Sequence, residues 1–139
     1  MEPVTLEFVD QSLQRCSRDS RFLDLFYEKF LASSPKVRER FAKTDFVRQK
    51  RALRASLWLM LLAAEDEEKG PARYLGGLAE SHGARQLAIG AEFYDLWLDT
   101  LLATVAECDP EYSPVVRGAW EQVMMVGIHY MVTRYNRRE

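Results

Sequence analysis

The chain has 139 residues, 47% apolar and 29% charged, with a formal net charge of −2. That length suits one domain with a real core, and the near-neutral balance lacks the basic footprint of a nucleic-acid binder. The opening is acidic rather than signal-like, and the longest apolar run, Leu57 to Ala64, has eight residues where a membrane span needs about 20.

Apolar residues recur at helical spacing almost throughout, and no stretch reads as a strand. The pattern predicts an all-α domain spanning 1–139, without repeats or low-complexity segments. The first helix runs from about Thr5 to Cys16, with Leu6, Val9 and Leu13 on one face. Ser17 to Ser20 breaks it, and Asp19 or Ser20 is expected to cap the second helix, which carries Phe22, Leu23, Phe26, Tyr27, Phe30 and Leu31. Ser34-Pro35 reads as an N-cap followed by a first-turn proline, opening a short helix through Val37 to Phe41. After the link Ala42 to Asp45, a long helix places Phe46, Gln49, Leu53, Leu57, Met60, Leu61 and Ala64 on one face. Gln49 is the polar residue in that stripe, either a boundary residue with its amide in solvent or an amide aimed into a pocket.

Glu65 to Gly70 is a charged loop, and Pro71 can start the next helix, on which Leu75, Leu78 and His82 share a face. Gly76-Gly77 lies inside it, and each glycine costs about 1 kcal/mol against alanine in a helix interior. The pair therefore predicts either a marginal helix or a close approach. Gly83 supplies a stop and Arg85 suits the helix's negative end. A strongly apolar helix follows from about Ile89 to Cys108. Its consecutive Leu96, Trp97 and Leu98 span too wide an arc for one core face. Asp109-Pro110 is a turn, Ser113-Pro114 again reads as cap and proline, and the last helix continues to about Tyr135. Cys16 and Cys108 read as two thiols of a reducing cytoplasm, since neither their number nor their spacing suggests a disulfide framework or a metal motif.

Few residues carry recognisable chemistry. There are two histidines, His82 and His129, and the latter lies deep in the apolar last segment. A protein-only zinc site has no adequate ligand set, and no nucleophile elbow, phosphate loop or H-E-x-x-H motif is present. A histidine on an apolar helix face is more often a satisfied core residue than a ligand. A single axial imidazole nevertheless suffices for haem, because the porphyrin supplies the other four nitrogens.

Taken together, the spacings resemble a known family. Leu78-Ala79 with Ser81-His82, Phe26-Tyr27 with Pro35 eight residues on, and Phe41 six after that proline are its first anchors. Gln49-Lys50-Arg51-Ala52-Leu53, Phe93 eleven residues after His82, and Trp120 complete them. The chain is similar over nearly its whole length to the globins, in particular to bacterial single-domain globins and the haem domains of flavohaemoglobins. The resemblance implies a globin fold of about seven helices (A, B, C, E, F, G and H, with no distinct D) around haem b, iron protoporphyrin IX. It implies His82 as the proximal iron ligand, its other ring nitrogen donating to a carbonyl near Leu78. Leu78 and Phe93 would pack under the porphyrin, Phe41 would stack on it, and Leu53 would lie over the iron. Ser81 and Arg85 are the implied propionate partners; the other reading of Arg85 is a solvated surface cation. Tyr27 and Gln49 would be the distal polar pair, with Arg48 or Lys50 as the alternative if the frame slips.

A phenol and an amide that both donate to a gas ligand, each bond contributing about 1–3 kcal/mol in a dry pocket, imply slow O₂ release. The function implied is reversible binding of O₂, and of NO or CO, for binding, scavenging or sensing. The alternatives are an NO dioxygenase or peroxidase fed by a separate reductase, and a sensor acting through a protein partner. The flavohaemoglobin pattern places a tyrosine four residues after Trp120, where this chain has Met124, which weakens the peroxidase-like alternative. The apolar arc of Leu96, Trp97 and Leu98 with Met124, Met125 and Ile128 points to a homodimer through G and H, set against the reading that these two helices are simply the most buried.

Overall fold

The structure is a computed structural model describing residues 1–82 and 90–138, the side chains of 79–82 and 134–138 excepted. The described residues form seven helices and no strand: α1 (Pro3–Ser17), α2 (Phe22–Ser33), α3 (Pro35–Arg40), α4 (Phe46–Glu65), α5 (Gly70–His82), α6 (Ala91–Cys108) and α7 (Pro114–Arg138). No further helix lies between α3 and α4, where the link from Phe41 to Asp45 is too short to hold one. No helix among the described residues is long and apolar enough to cross a membrane.

The helix starts show which local signals operate. Ser34 caps α3 by accepting from the Lys36 N–H at 3.1 Å, with Pro35 in the first turn. Asp45 caps α4 through the Val47 and Arg48 N–H groups, and Ser113 Oγ accepts from the Val116 N–H at 3.2 Å at the start of α7. The second helix departs from expectation. Its N-cap is Arg21, which makes no side-chain cap bond, and the Asp19 carboxylate instead accepts from the Arg21 N–H at 2.9 Å within the preceding turn.

Packing pairs α1 with α7, α2 with α6, and α4 with both α5 and α7. Val9, Leu13, Phe26, Leu57, Leu75, Leu101, Trp120, Val123 and Met124 form a continuous, almost fully buried core. Met124 and Ile128, read above as part of an apolar excess on the outer face, are 0% and 6% exposed. α7 turns them inward, and of its residues in that arc only Met125 remains at the surface. His129 is corrected as well. One residue past Ile128 on the helix, it faces solvent rather than the interior.

Two glycines sit where helices approach closely. A Cβ at Gly70 would meet the Ala63 carbonyl oxygen at 2.2 Å, and one at Gly127 would meet Met60 Cε at 2.6 Å. These contacts seat α5 against α4 and α7 against α4. Gly76 and Gly77 serve no such approach among the described residues. Among the described residues, the nearest atom to a Cβ at Gly76 is the Tyr130 hydroxyl at 3.9 Å, and nothing lies within 4 Å of one at Gly77.

Candidate functional site

Between α2, α4, α5 and α6 lies a cavity of about 320 Å³, within the size range of small-molecule sites. Tyr27 comes from α2, Phe41 from the corner after α3, Gln49 and Leu53 from α4, Leu78 from α5 and Phe93 from α6; all six line it. They are scattered between positions 27 and 93 of the sequence. α4 contributes a wall because Gln49, Leu53, Ser56 and Met60, all of which line the cavity, recur at steps of three and four. On α5, Leu75 is fully buried and Leu78 half-buried at the same cavity.

Aromatic rings fix the α2 side. Tyr27 meets Phe41 and Phe46 edge-on at 6.0 and 5.4 Å between centroids, and Phe30 meets Phe41 at 5.7 Å. Phe41 is thus held by three neighbours, since Phe46 also lies 6.2 Å away. The polar groups are few. Tyr27 is 4% exposed and donates its hydroxyl to the Gln49 backbone carbonyl at 3.4 Å. Burial pushes its phenol up to about 12, and the contact with Gln49 pulls the other way. It therefore stays protonated, a donor, through neutral pH. Ser56 spends its hydroxyl on the Leu53 carbonyl at 2.9 Å.

Gln49, rather than its neighbours, faces the cavity. Lys50 reaches outward to Asp24 at 2.6 Å, and Arg48 is exposed. The side chains of Ser81 and His82 lie outside the described residues, although both close α5 at its C-terminal end, and Arg85 lies wholly outside them. Within that helix His82 follows Leu78 by four residues, so its backbone position falls on the face that Leu78 turns to the cavity.

Sequence reasoning missed several lining residues. Trp97 lines the cavity and packs edge-on against Phe26 at 6.1 Å; the over-wide Leu96-Trp97-Leu98 arc was its signal. Tyr94 also lines it, its phenol raised by burial. Arg40 lines the mouth, its guanidinium 5.5 Å from the centre of the Phe93 ring. The lining is therefore apolar and aromatic, with phenol and amide groups among it and a cation at the mouth. That donor set fits a flat, largely apolar group with acidic substituents.

A larger groove of about 920 Å³ lies elsewhere, between the N-terminus, the start of α5 and α7. Most of its polar lining, Glu2, Glu67, Glu68, Gln122 and His129, is exposed. No group of three or more His, Cys, Asp or Glu suited to a metal ion occurs among the described residues.

The chain is similar to a solved Pseudomonas aeruginosa protein described as structurally highly homologous to a human hemoglobin. The two are 40% identical, with a TM-score of 0.88, and the match covers 94% of this chain and 98% of the other. No family model and no curated protein matches the chain.

Proposed function

The chain belongs to the bacterial globins, and on that premise we propose that its cavity holds haem b, with His82 as the proximal ligand, for reversible binding of O₂, NO or CO. The observation that carries this reading is the convergence of Tyr27, Phe41, Gln49, Leu53, Leu78 and Phe93 on one cavity. Haem supplies the iron at which a diatomic ligand binds. The protein's part is to bind, orient and exclude water. Phe41, Leu53, Leu78 and Phe93 would pack the macrocycle, and Ser81 and Arg85 would meet its propionates. Tyr27 and Gln49 would donate toward a ligand bearing partial negative charge, which favours slow release over delivery.

A binding role is favoured over turnover because Met124 is fully buried in the core and offers no donor where the flavohaemoglobin pattern places a tyrosine. Oxidation of NO would in addition need a supply of electrons. The same reading includes a dimer through α6 and α7, resting on half-buried Leu98 and exposed Met125.

Visible spectroscopy of the purified, haem-reconstituted protein tests the central point. A Soret band is expected, and in His82→Ala its position and intensity should change markedly. A protein that takes up no haem, or a spectrum unmoved by His82→Ala, contradicts the assignment.

A further inference from the structure

The cavity mouth carries a cation that the roles above leave without a task. Arg40 closes α3, lines the cavity and lays its guanidinium 5.5 Å from the centroid of Phe93, across the seam between α3 and α6. Its side chain is exposed, and among the described residues no carboxylate pairs with it. The other cation on this seam is engaged, since Lys36 Nζ lies 3.9 Å from Glu92 Oε1. A guanidinium resting on a ring is already oriented, and its planar fork of donors matches a carboxylate in two parallel bonds.

We infer that Arg40 anchors a carboxylate of the bound porphyrin, so that the site favours an acidic porphyrin over its neutral ester. The inference rests on the haem reading above and assigns a role to a residue of α3, separate from Ser81 and Arg85. Phe93 serves twice in it, packing the macrocycle and aiming the cation at its edge. The Arg40 stem adds contact, but its charge gives the preference.

The test compares loss of haem and of haem dimethyl ester from the loaded protein to excess apomyoglobin, followed in the Soret band. Arg40→Gln is expected to release haem about three to ten times faster than the parent, the low end reflecting solvent screening of an exposed pair. Arg40→Met, which keeps an apolar stem over Phe93, should behave like Arg40→Gln, and Arg40→Lys should fall between them and the parent. With the diester, parent and variants should differ by less than about twofold, because no carboxylate remains to be read. Equal haem loss from parent and Arg40→Gln overturns the inference. Equal acceleration for both porphyrins overturns it too, since Arg40 would then be a cover on Phe93. Failure of the parent itself to take up haem is a different result, which removes the haem reading and this inference with it.

Discussion

At 3.4 Å the Tyr27 hydroxyl makes a long hydrogen bond to the Gln49 carbonyl, beyond the usual range for an O–H donor. Losing it should cost little stability, below about 1 kcal/mol. The phenol is then available to turn toward a ligand in the cavity. Tyr27→Phe in the haem-loaded protein is expected to speed O₂ release roughly tenfold, the equivalent of one hydrogen bond, when dissociation is followed by stopped flow. An unchanged off-rate with a clear loss of stability would instead make the hydroxyl a strut between α2 and α4. The position of Gln49 was half legible. Its place in an apolar stripe marked it as unusual, but only the packing of α2 across α4 shows that this part of the stripe faces a cavity. Arg40 was illegible for the opposite reason, because a cation at a helix end has an ordinary explanation in the helix dipole.

Among the helices, α5 is the one whose sequence and structure pull apart. Gly76 and Gly77 weaken it without any close approach among the described residues to justify them, and a methyl group at Gly77 would touch none of those residues. Gly77→Ala should therefore stabilise the protein by about 0.5–1 kcal/mol. Gly70→Ala should destabilise it, because the added carbon would meet the Ala63 backbone carbonyl, which cannot move aside as a side-chain tip can. Urea unfolding of the two variants checks both signs, and a loss of stability in Gly77→Ala would show that the pair is needed for a reason other than packing. Helix starts with a serine cap and a following proline were readable residue by residue. The start of α2 was not, because the Asp19 carboxylate accepts from the Arg21 N–H in the preceding turn and leaves the helix start without a side-chain cap.

Across the whole molecule, one buried polar network ties the two ends of the chain together. Asp109 receives Arg15 Nε at 2.6 Å and Arg15 Nη2 at 3.0 Å. It also receives the Ser12 hydroxyl at 2.6 Å, and Ser12 in turn accepts the Trp120 indole N–H at 2.9 Å. α1, the turn before α7, and α7 are joined in this way. Burial pushes the Asp109 carboxyl up, but the hydrogen bonds from Arg15 and Ser12 outweigh it and hold it below the ordinary value of 3.8. A lowered carboxyl contributes stability that is complete above the ordinary value and is lost as pH falls through the folded one. Asp109→Ala should cost about 3–5 kcal/mol near neutrality, since it leaves Arg15 largely buried and unpaired. The gap between variant and parent should narrow as pH drops below 3.8. Denaturant unfolding at several pH values reads both effects, and a pH-independent gap would detach the loss from the ion pair.

Helix number, order and several of the caps were set by the sequence alone, because periodicity and capping are local and a few residues suffice to express them. The resemblance to the globins implied a shared site for Tyr27, Phe41, Gln49, Leu53, Leu78, His82 and Phe93, and all of these but His82, whose side chain lies outside the described residues, line one cavity. Which faces meet was decided only in three dimensions. Trp97 turns to the cavity, Met124 to the core and His129 to solvent, although all three lie in apolar segments that periodicity alone cannot orient. Asp109, legible only as a turn residue, becomes the centre of a buried network through partners 94 and 97 positions away. Such choices depend on which neighbour excludes water from a given side chain, and the distant parts of the chain that supply that neighbour are placed only by the finished packing.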